Sequence, residues 1–297
     1  MLDISINGDV KINSSVMLQL LSLLKENKSI IVNADIVNVL GCIPSESVQC
    51  IVTSPPYWGI RDYCIDCQIG HEDTIDEYID KLTEVFLQCK RILKTNGVMW
   101  LNIGDVYTSG NRGYRCNDKK NGARAMSFRP KTPDGLKRKE LIGVPWRLAF
   151  ALQKEGWYLR CDMIWNKPNA LPESVKDRPS RSHEYVFMMS KSEKYYYNKV
   201  FLSEYGIAGA MKKLNSVINV KNKRSGLRHY AAFPESLIEP FILSSCKAGD
   251  YVMDPFFGIG TVGVVCEKCD RRYLGVELNH EYIKMALSRG LRSCDVL

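Results

Sequence analysis

The stretch Tyr251–Glu277 constrains the fold more than any other part of the chain. It reads as strand Tyr251–Met253, then the turn Asp254-Pro-Phe-Phe-Gly258-Ile-Gly260-Thr-Val-Gly263. A helical run Thr261–Cys269, a second strand Arg272–Val276 and then Glu277 follow. Glycines at a strand-to-helix turn let the backbone approach a ligand closely, and an acid about 20 residues on can accept ribose hydroxyls. The spacing is formally that of a nicotinamide-binding fingerprint, so an oxidoreductase has to be weighed. Only one more helix, Asn279–Arg289, follows, which leaves no room for a second nucleotide-binding half downstream. The pair Phe256-Phe257 inside the turn suits packing on an adenine or sulfonium ligand better than cradling a pyrophosphate.

The remainder of the chain supports a parallel sheet. Ser29–Val32 and Val48–Thr53 are short β-branched runs of the kind buried on both faces. Asp76–Leu93 has apolar residues at helical spacing and a stop at Asn96-Gly97, and Val98–Ile103 reads as the next strand. Leu141–Glu155 and Pro234–Cys246 read as helices, and Tyr158–Asn166 and Glu184–Ser190 as strands. Strands alternating with helices predict an α/β, doubly wound, mostly parallel sheet in a single domain spanning 1–297. A hydrophobic fraction of 45% over 297 residues supplies core enough for it.

A second turn carries chemistry. Thr53-Ser54-Pro55-Pro56-Tyr57-Trp58 directly follows the strand ending Ile51-Val52-Thr53, so it faces the crevice where such sheets bind ligands. Two prolines fix φ and remove N–H donors, which leaves a stiff turn rich in acceptors. Ser54 adds a polar group, and Tyr57 and Trp58 offer flat faces. A stiff acceptor-rich turn beside aromatics is what an extruded base with an amino group requires.

The charge is positive and unevenly placed. Of the formal net charge of +8, much lies in a basic insert, 107–140, where ten Lys or Arg face only Asp118 and Asp134 before Glu140. A second basic stretch runs from Lys212 to Arg228. Such charge suits a polyanion such as DNA, although a protein that binds DNA without catalysis would need no more than this. No apolar run is long enough to span a bilayer and the first residues lack the features of a signal peptide, so a cytoplasmic protein with no membrane partner is expected. Eleven scattered cysteines read as reduced thiols. The pairs Cys64/Cys67 and Cys266/Cys269 lie too far apart to read as a zinc ribbon, and no metal is expected.

Taken together, the motifs resemble those of the β-class DNA amino-methyltransferases, in which the catalytic motif precedes the cofactor motif along the chain. TSPPYW is similar to that family's catalytic motif, and DPFFGIGTVG to its cofactor motif. VELNHEYIKMA matches the acidic segment after it, and His229–Ile242 the segment before it. Asn33-Ala34-Asp35 stands where the family has Gly-Asp. The resemblance implies a seven-stranded, circularly permuted sheet with one antiparallel strand, and S-adenosylmethionine as cofactor. It implies Glu277 on the ribose, Asp35 on the adenine amino group and Phe256 packed on the adenine. It places Asp254, Gly258 and Gly260 around the methionine part, Phe233 and Pro234 along the same wall, and Thr261 among the cofactor-binding residues. The catalytic set would be Ser54, Pro55, Pro56 and Tyr57. Trp58, Asn169 and Glu173 would face the base, and 193–228 would recognise the DNA target. In that family serine before Pro-Pro-Tyr points to cytosine N4, with adenine N6 as the alternative target. None of the cysteines follows a proline, which excludes the thiol chemistry of cytosine C5 methylation. A cognate restriction endonuclease and a homodimeric assembly are the protein partners that the resemblance brings with it.

Overall fold

A computed structural model describes residues 14–60, 65, 68–108, 130–170, 172–173, 175–199, 214–222, 232–291 and 294–297. In chain order the strands are β1 Ser29–Asn33, β2 Val48–Thr53, β3 Leu93–Ile103, β4 Tyr158–Asn166, β5 His183–Ser190, β6 Val217–Asn219, β7 Tyr251–Asp254, β8 Arg272–Glu277 and β9 Cys294–Val296. The helices are α1 Ser14–Lys25, α2 Ile36–Leu40, α3 Ile75–Ile92, α4 Val144–Lys154, α5 Glu235–Ser245, α6 Thr261–Lys268 and α7 His280–Ser288.

The strands form one sheet in the order β6-β4-β5-β3-β2-β7-β8-β1-β9. Among the described strands only β5 runs against its neighbours, pairing antiparallel with both β3 and β4. Seven strands were expected and nine are found among the described residues, because three-residue strands β6 and β9 extend the two edges. Strands that short give almost no periodic signal in a sequence.

Alternation along each strand divides the core. Ile30, Ile51, Met99, Leu101, Phe187 and Met253 point to the layer formed by α1–α4. Ile31, Cys50, Val52, Trp100, Val186 and Val252 point to the layer formed by α5–α7. Trp100 fastens α5 to the sheet: its ring stacks on Phe241 at 4.4 Å, and its indole N–H donates to Ser245 Oγ at 2.8 Å. At the start of α3, Thr74 Oγ1 accepts from the Glu77 N–H and Glu77 Oε2 accepts from the Thr74 N–H, closing a capping box.

One boundary differs from the sequence reading. The helix ends at Ile92, and Asn96-Gly97 lies inside β3 rather than stopping the helix. The pairing with β2 jumps from Val48↔Leu93 to Cys50↔Val98, so β3 carries the extra residues as a bulge. A Cβ at Gly97 would lie 2.9 Å from the Gln49 carbonyl oxygen, which explains a glycine here without any turn.

The connections fix where a ligand can bind. From β2 the chain passes through α3 to β3 on one side, whereas from β7 it passes through α6 to β8 on the other. Since β2 and β7 are neighbours, the loops leaving them diverge and open a crevice at their carboxyl ends. The glycine turn is held against the sheet by Phe257, whose ring stacks on Tyr273 at 5.8 Å between centroids. A methyl group at Gly275 would sit 2.4 Å from Cδ2 of that ring. Gly275→Ala is therefore expected to cost about 1–3 kcal/mol through overpacking. Thermal unfolding checks this, and a melting temperature equal to that of the unsubstituted protein would show that the turn yields freely.

Candidate active site

The two turns singled out in the sequence meet. Thr53, the last residue of β2, donates through Oγ1 to Asp254 Oδ1 at 2.7 Å, although the residues are 201 positions apart. Asp254 closes β7 and is 3% exposed. The same oxygen accepts from the Phe256 N–H at 3.1 Å. Burial, assisted by the nearby charge of Glu277, pushes the Asp254 carboxyl up to about 7 despite these two donors.

Glu277 ends β8, one strand further on. Its Oε2 accepts from the Gly258 N–H at 2.7 Å and its Oε1 from the Asn279 N–H at 2.8 Å. Burial pushes this carboxyl up as well, to about 6. Asn33 of β1 braces it from behind, donating through Nδ2 to the carbonyls of Glu277 and Leu278 at 2.9 and 3.1 Å. Gly258 and Gly260 adopt φ of +52° and +74°, a region that favours glycine, and Gly260 is the residue that caps the start of α6.

These elements wall a cleft with about 1080 Å³ of non-protein space, part of it open solvent. Of the residues expected on the cofactor side, Asp35, Phe233, Asp254, Phe256, Gly258, Thr261 and Glu277 line it. Gly260 and Pro234 do not; the first shapes the turn, and the second is the residue preceding α5. Asp35 also accepts the Val37 N–H at 2.9 Å through Oδ1, which caps α2. Phe256 meets Phe86 of α3 edge-on at 6.5 Å between centroids. Ser54 and Pro56 reach the same cleft from β2.

Other expected residues lie elsewhere. Trp58 is 3% exposed and donates its indole N–H to the Glu72 carbonyl at 2.9 Å, so it packs in the core and offers no face to a base. Asn169 exchanges two hydrogen bonds with the Asn222 backbone, at 2.8 and 2.9 Å, and thereby ties the loop after β4 to the segment carrying β6. Glu173 accepts from Arg178 at 2.6 Å, and that guanidinium lies 3.7 Å above the Tyr107 ring. Both side chains are engaged as loop fasteners. Pro55 is buried, and the Pro56 carbonyl accepts from the Tyr78 hydroxyl at 2.7 Å. Cys266 and Cys269 are buried, whereas Cys64 and Cys67 lie outside the described residues. Most of the basic insert, 109–129, and of the expected recognition segment, 200–213 and 223–231, also lies outside them. The ends of the insert are joined by a bridge between Tyr107 and Leu141.

Sequence reasoning missed a polar group behind the second turn. The Tyr57 hydroxyl donates to Glu184 Oε2 at 3.0 Å, Asn102 Nδ2 donates to the same oxygen at 3.2 Å, and Lys167 pairs with Glu184 Oε1. The only signal was Glu184 standing first in an otherwise apolar strand reading.

Fold and site together define a protein of the class I methyltransferase type: a doubly wound sheet with a cleft for a nucleoside-like ligand beside a stiff acceptor-rich turn. Residues 48–288 match the DNA methylase family, and the chain belongs to it. It is 58% identical over 266 residues to the type II methyltransferase M.Cfr9I of Citrobacter freundii, covering 90% of this chain and 89% of that one. The type II methyltransferase M.SmaI of Serratia marcescens is 54% identical over 252 residues, covering 84% and 86%. Among solved structures, the putative DNA modification methylase TTHA0409 of Thermus thermophilus, complexed with S-adenosyl-L-methionine, superimposes with a TM-score of 0.65. It is 23% identical, and the match covers 91% of this chain and 98% of that one. Among the described residues no helix is long and apolar enough to cross a membrane.

The buried Asp254 carboxyl yields a stability test. A carboxyl raised by folding from 3.8 to about 7 is neutral in both states below pH 3.8, and its ionisation opposes folding as pH rises towards 7. Asn at this position keeps an oxygen for Thr53 and Phe256. Asp254→Asn is therefore expected to melt with the native protein at pH 4 and about 5 °C or more above it at pH 8. Calorimetry at both pH values decides, and a shift of the same size at pH 4 would count against the burial argument.

Proposed function

We propose that this chain transfers a methyl group from S-adenosylmethionine to the exocyclic N4 amino group of cytosine in double-stranded DNA, with the target base extruded from the helix. The observation that carries the reading is the Thr53–Asp254 hydrogen bond, which sets the serine turn and the glycine turn side by side. We further read the sheet as circularly permuted, since the turn on β2 comes first in the chain and the turn on β7 late.

The residues fit that cofactor. Two buried carboxylates face one cleft, and a cationic ligand offsets the cost of ionising them. Each Glu277 oxygen accepts a backbone N–H, and the carboxylate retains further acceptor capacity for ribose hydroxyls. Phe256 supplies an apolar face for an adenine ring. When bound, S-adenosylmethionine supplies an electrophilic methyl group on a cationic sulfur.

An exocyclic amino nitrogen is a poor nucleophile because its lone pair is delocalised into the ring. Ser54 Oγ and the Pro55 carbonyl accept its two N–H groups and turn the lone pair towards the methyl group. The stiff proline turn holds both acceptors in place beforehand, so positioning and electrostatics carry most of the rate. Tyr57 stacks on the base. Serine at position 54 supports cytosine N4. The type II names of the relatives support a role beside a cognate restriction endonuclease.

Mass spectrometry of nucleosides from treated DNA tests the reading, with labelled N4-methylcytosine the expected product. Label in N6-methyladenine would overturn the choice of base, and unlabelled DNA would overturn the enzyme assignment. Ser54→Ala should lower the single-turnover rate on the order of a hundredfold and leave cofactor affinity, measured by calorimetry, unchanged. Glu277→Ala should instead weaken cofactor binding.

A further inference from the structure

Behind the serine turn lies a run of hydrogen bonds with a fixed direction. Ser54 Oγ points its donor side at the Tyr57 hydroxyl oxygen at 3.5 Å, longer than an ordinary O–H···O bond and close enough to tighten when a base fills the site. The Tyr57 hydroxyl in turn donates to Glu184 Oε2 at 3.0 Å. A carboxylate only accepts. Glu184 is held in place by two further donors, Asn102 Nδ2 at 3.2 Å on the same oxygen and the Lys167 ammonium on the other. Lys167 is itself pinned, its Nζ lying 4.1 Å from the centroid of the Trp165 ring. Glu184 and Lys167 are largely enclosed, with 18% and 15% of their side chains exposed. The tyrosine ring is seated closely as well: a Cβ at Gly104 would come within 2.7 Å of its Cε2.

The placement of Glu184 follows from topology. It is the second residue of β5, the one strand that runs against the rest, so it arrives at the rim where the other strands end. There it meets Asn102, near the end of β3, with which it shares a donor bond.

We infer that Glu184 is a positioning residue that acts through Tyr57 to fix the polarity of the Ser54 hydroxyl, so that Ser54 presents lone pairs, and not its proton, to the target amino group. The physical reason is a count of protons. With Glu184 accepting, the Tyr57 proton is committed to it, and the tyrosine oxygen is left to accept the Ser54 proton. Only the acceptor side of Ser54 then faces the base. An amino group offers two donors, whereas the adjacent ring nitrogen of cytosine offers an acceptor. A serine free to rotate would satisfy that ring nitrogen instead and hold the base in an unproductive register. This inference rests on the proposed function, because it assigns work to the acceptor named there.

A double-mutant cycle tests it on the full-length protein. Tyr57→Phe keeps the ring and removes the middle hydroxyl, and Glu184→Gln replaces the carboxylate by an amide able to donate in the reverse sense. Each is expected to lower the single-turnover rate about tenfold, with DNA affinity and cofactor affinity kept within about twofold. The combined variant should be no slower than Tyr57→Phe alone, because the route from Glu184 to Ser54 is already cut. A structural role would make the two losses multiply or weaken cofactor binding, and either result overturns the inference, as does wild-type speed in Tyr57→Phe. Glu184→Gln combined with Lys167→Met removes the unpaired ammonium and should show the same slow rate, which keeps the test decisive if the single variant folds poorly. The two levels separate cleanly: no methyl transfer by the wild-type protein sinks the proposed function. Transfer by the wild type together with multiplying losses sinks only the present inference.

Discussion

The site depends on one interaction, the hydrogen bond from Thr53 to Asp254 across the ends of β2 and β7. A carboxylate only 3% exposed needs fixed donors, and the threonine hydroxyl and the Phe256 amide provide them. Threonine suits the position twice over, as a β-branched residue in a buried strand and as a donor at its end. The bond also sets a distance. Neighbouring strands lie about 4.8 Å apart, so turns leaving their ends begin within one side chain's reach of each other. A group that must pass from a ligand held by one turn to a ligand held by the next has little way to travel.

The site is unfavourable for the fold by itself. Asp254 and Glu277 are both held above the ordinary carboxylate range by burial, and Gly258 and Gly260 occupy left-handed backbone. The surrounding packing offsets this. Phe257 locks the turn between Gly275 and Tyr273, and Trp100 bolts α5, which carries Phe233 at its approach, to the sheet. Sites commonly hold such local cost because the scaffold over-determines them. In this chain the cost falls on charge, which a cationic ligand relieves.

Much of this was legible in the sequence, for identifiable reasons. Strands buried on both faces read as short apolar runs, β-branched in β1 and β2, and β7 and β8 stand out because they flank the glycine turn; the turns after β2 and β7 carry distinctive glycine and proline spacing. The pairing of Ser54 with Asp254 in one cleft followed once both were placed at strand ends. What the sequence did not show was the partner of each single side chain. Trp58 turns inward because the Glu72 carbonyl takes its N–H, Asn169 is spent on Asn222, and Glu173 on Arg178. Those partners are set by tertiary folding, and no local pattern announces them. Short elements were lost for a related reason: β6 and β9 have three residues each and α2 five, too few for periodicity to show.

Glu184 illustrates the limit from the other side. Its strand was legible, but its role depends on the direction in which that strand runs. Had β5 been parallel, its first residues would lie at the opposite rim, and Glu184 would be a strand's length away from Tyr57. Strand polarity thus decides whether the serine turn is backed by the Glu184 carboxylate. The same reversal separates two tasks in space. The strands from β7 to β1 shape the wall built by Asp254, Glu277 and Asp35, while β3, β4 and β5 back the serine turn, and the two halves join along the β2–β7 pairing, with Thr53 and Asp254 at its site end. The division is not complete, because Trp100 of β3 and the β4–β5 residues Met163, Trp165, Val186 and Met188 pack in one cluster with Phe233, so a change there reaches the ligand-binding wall through α5.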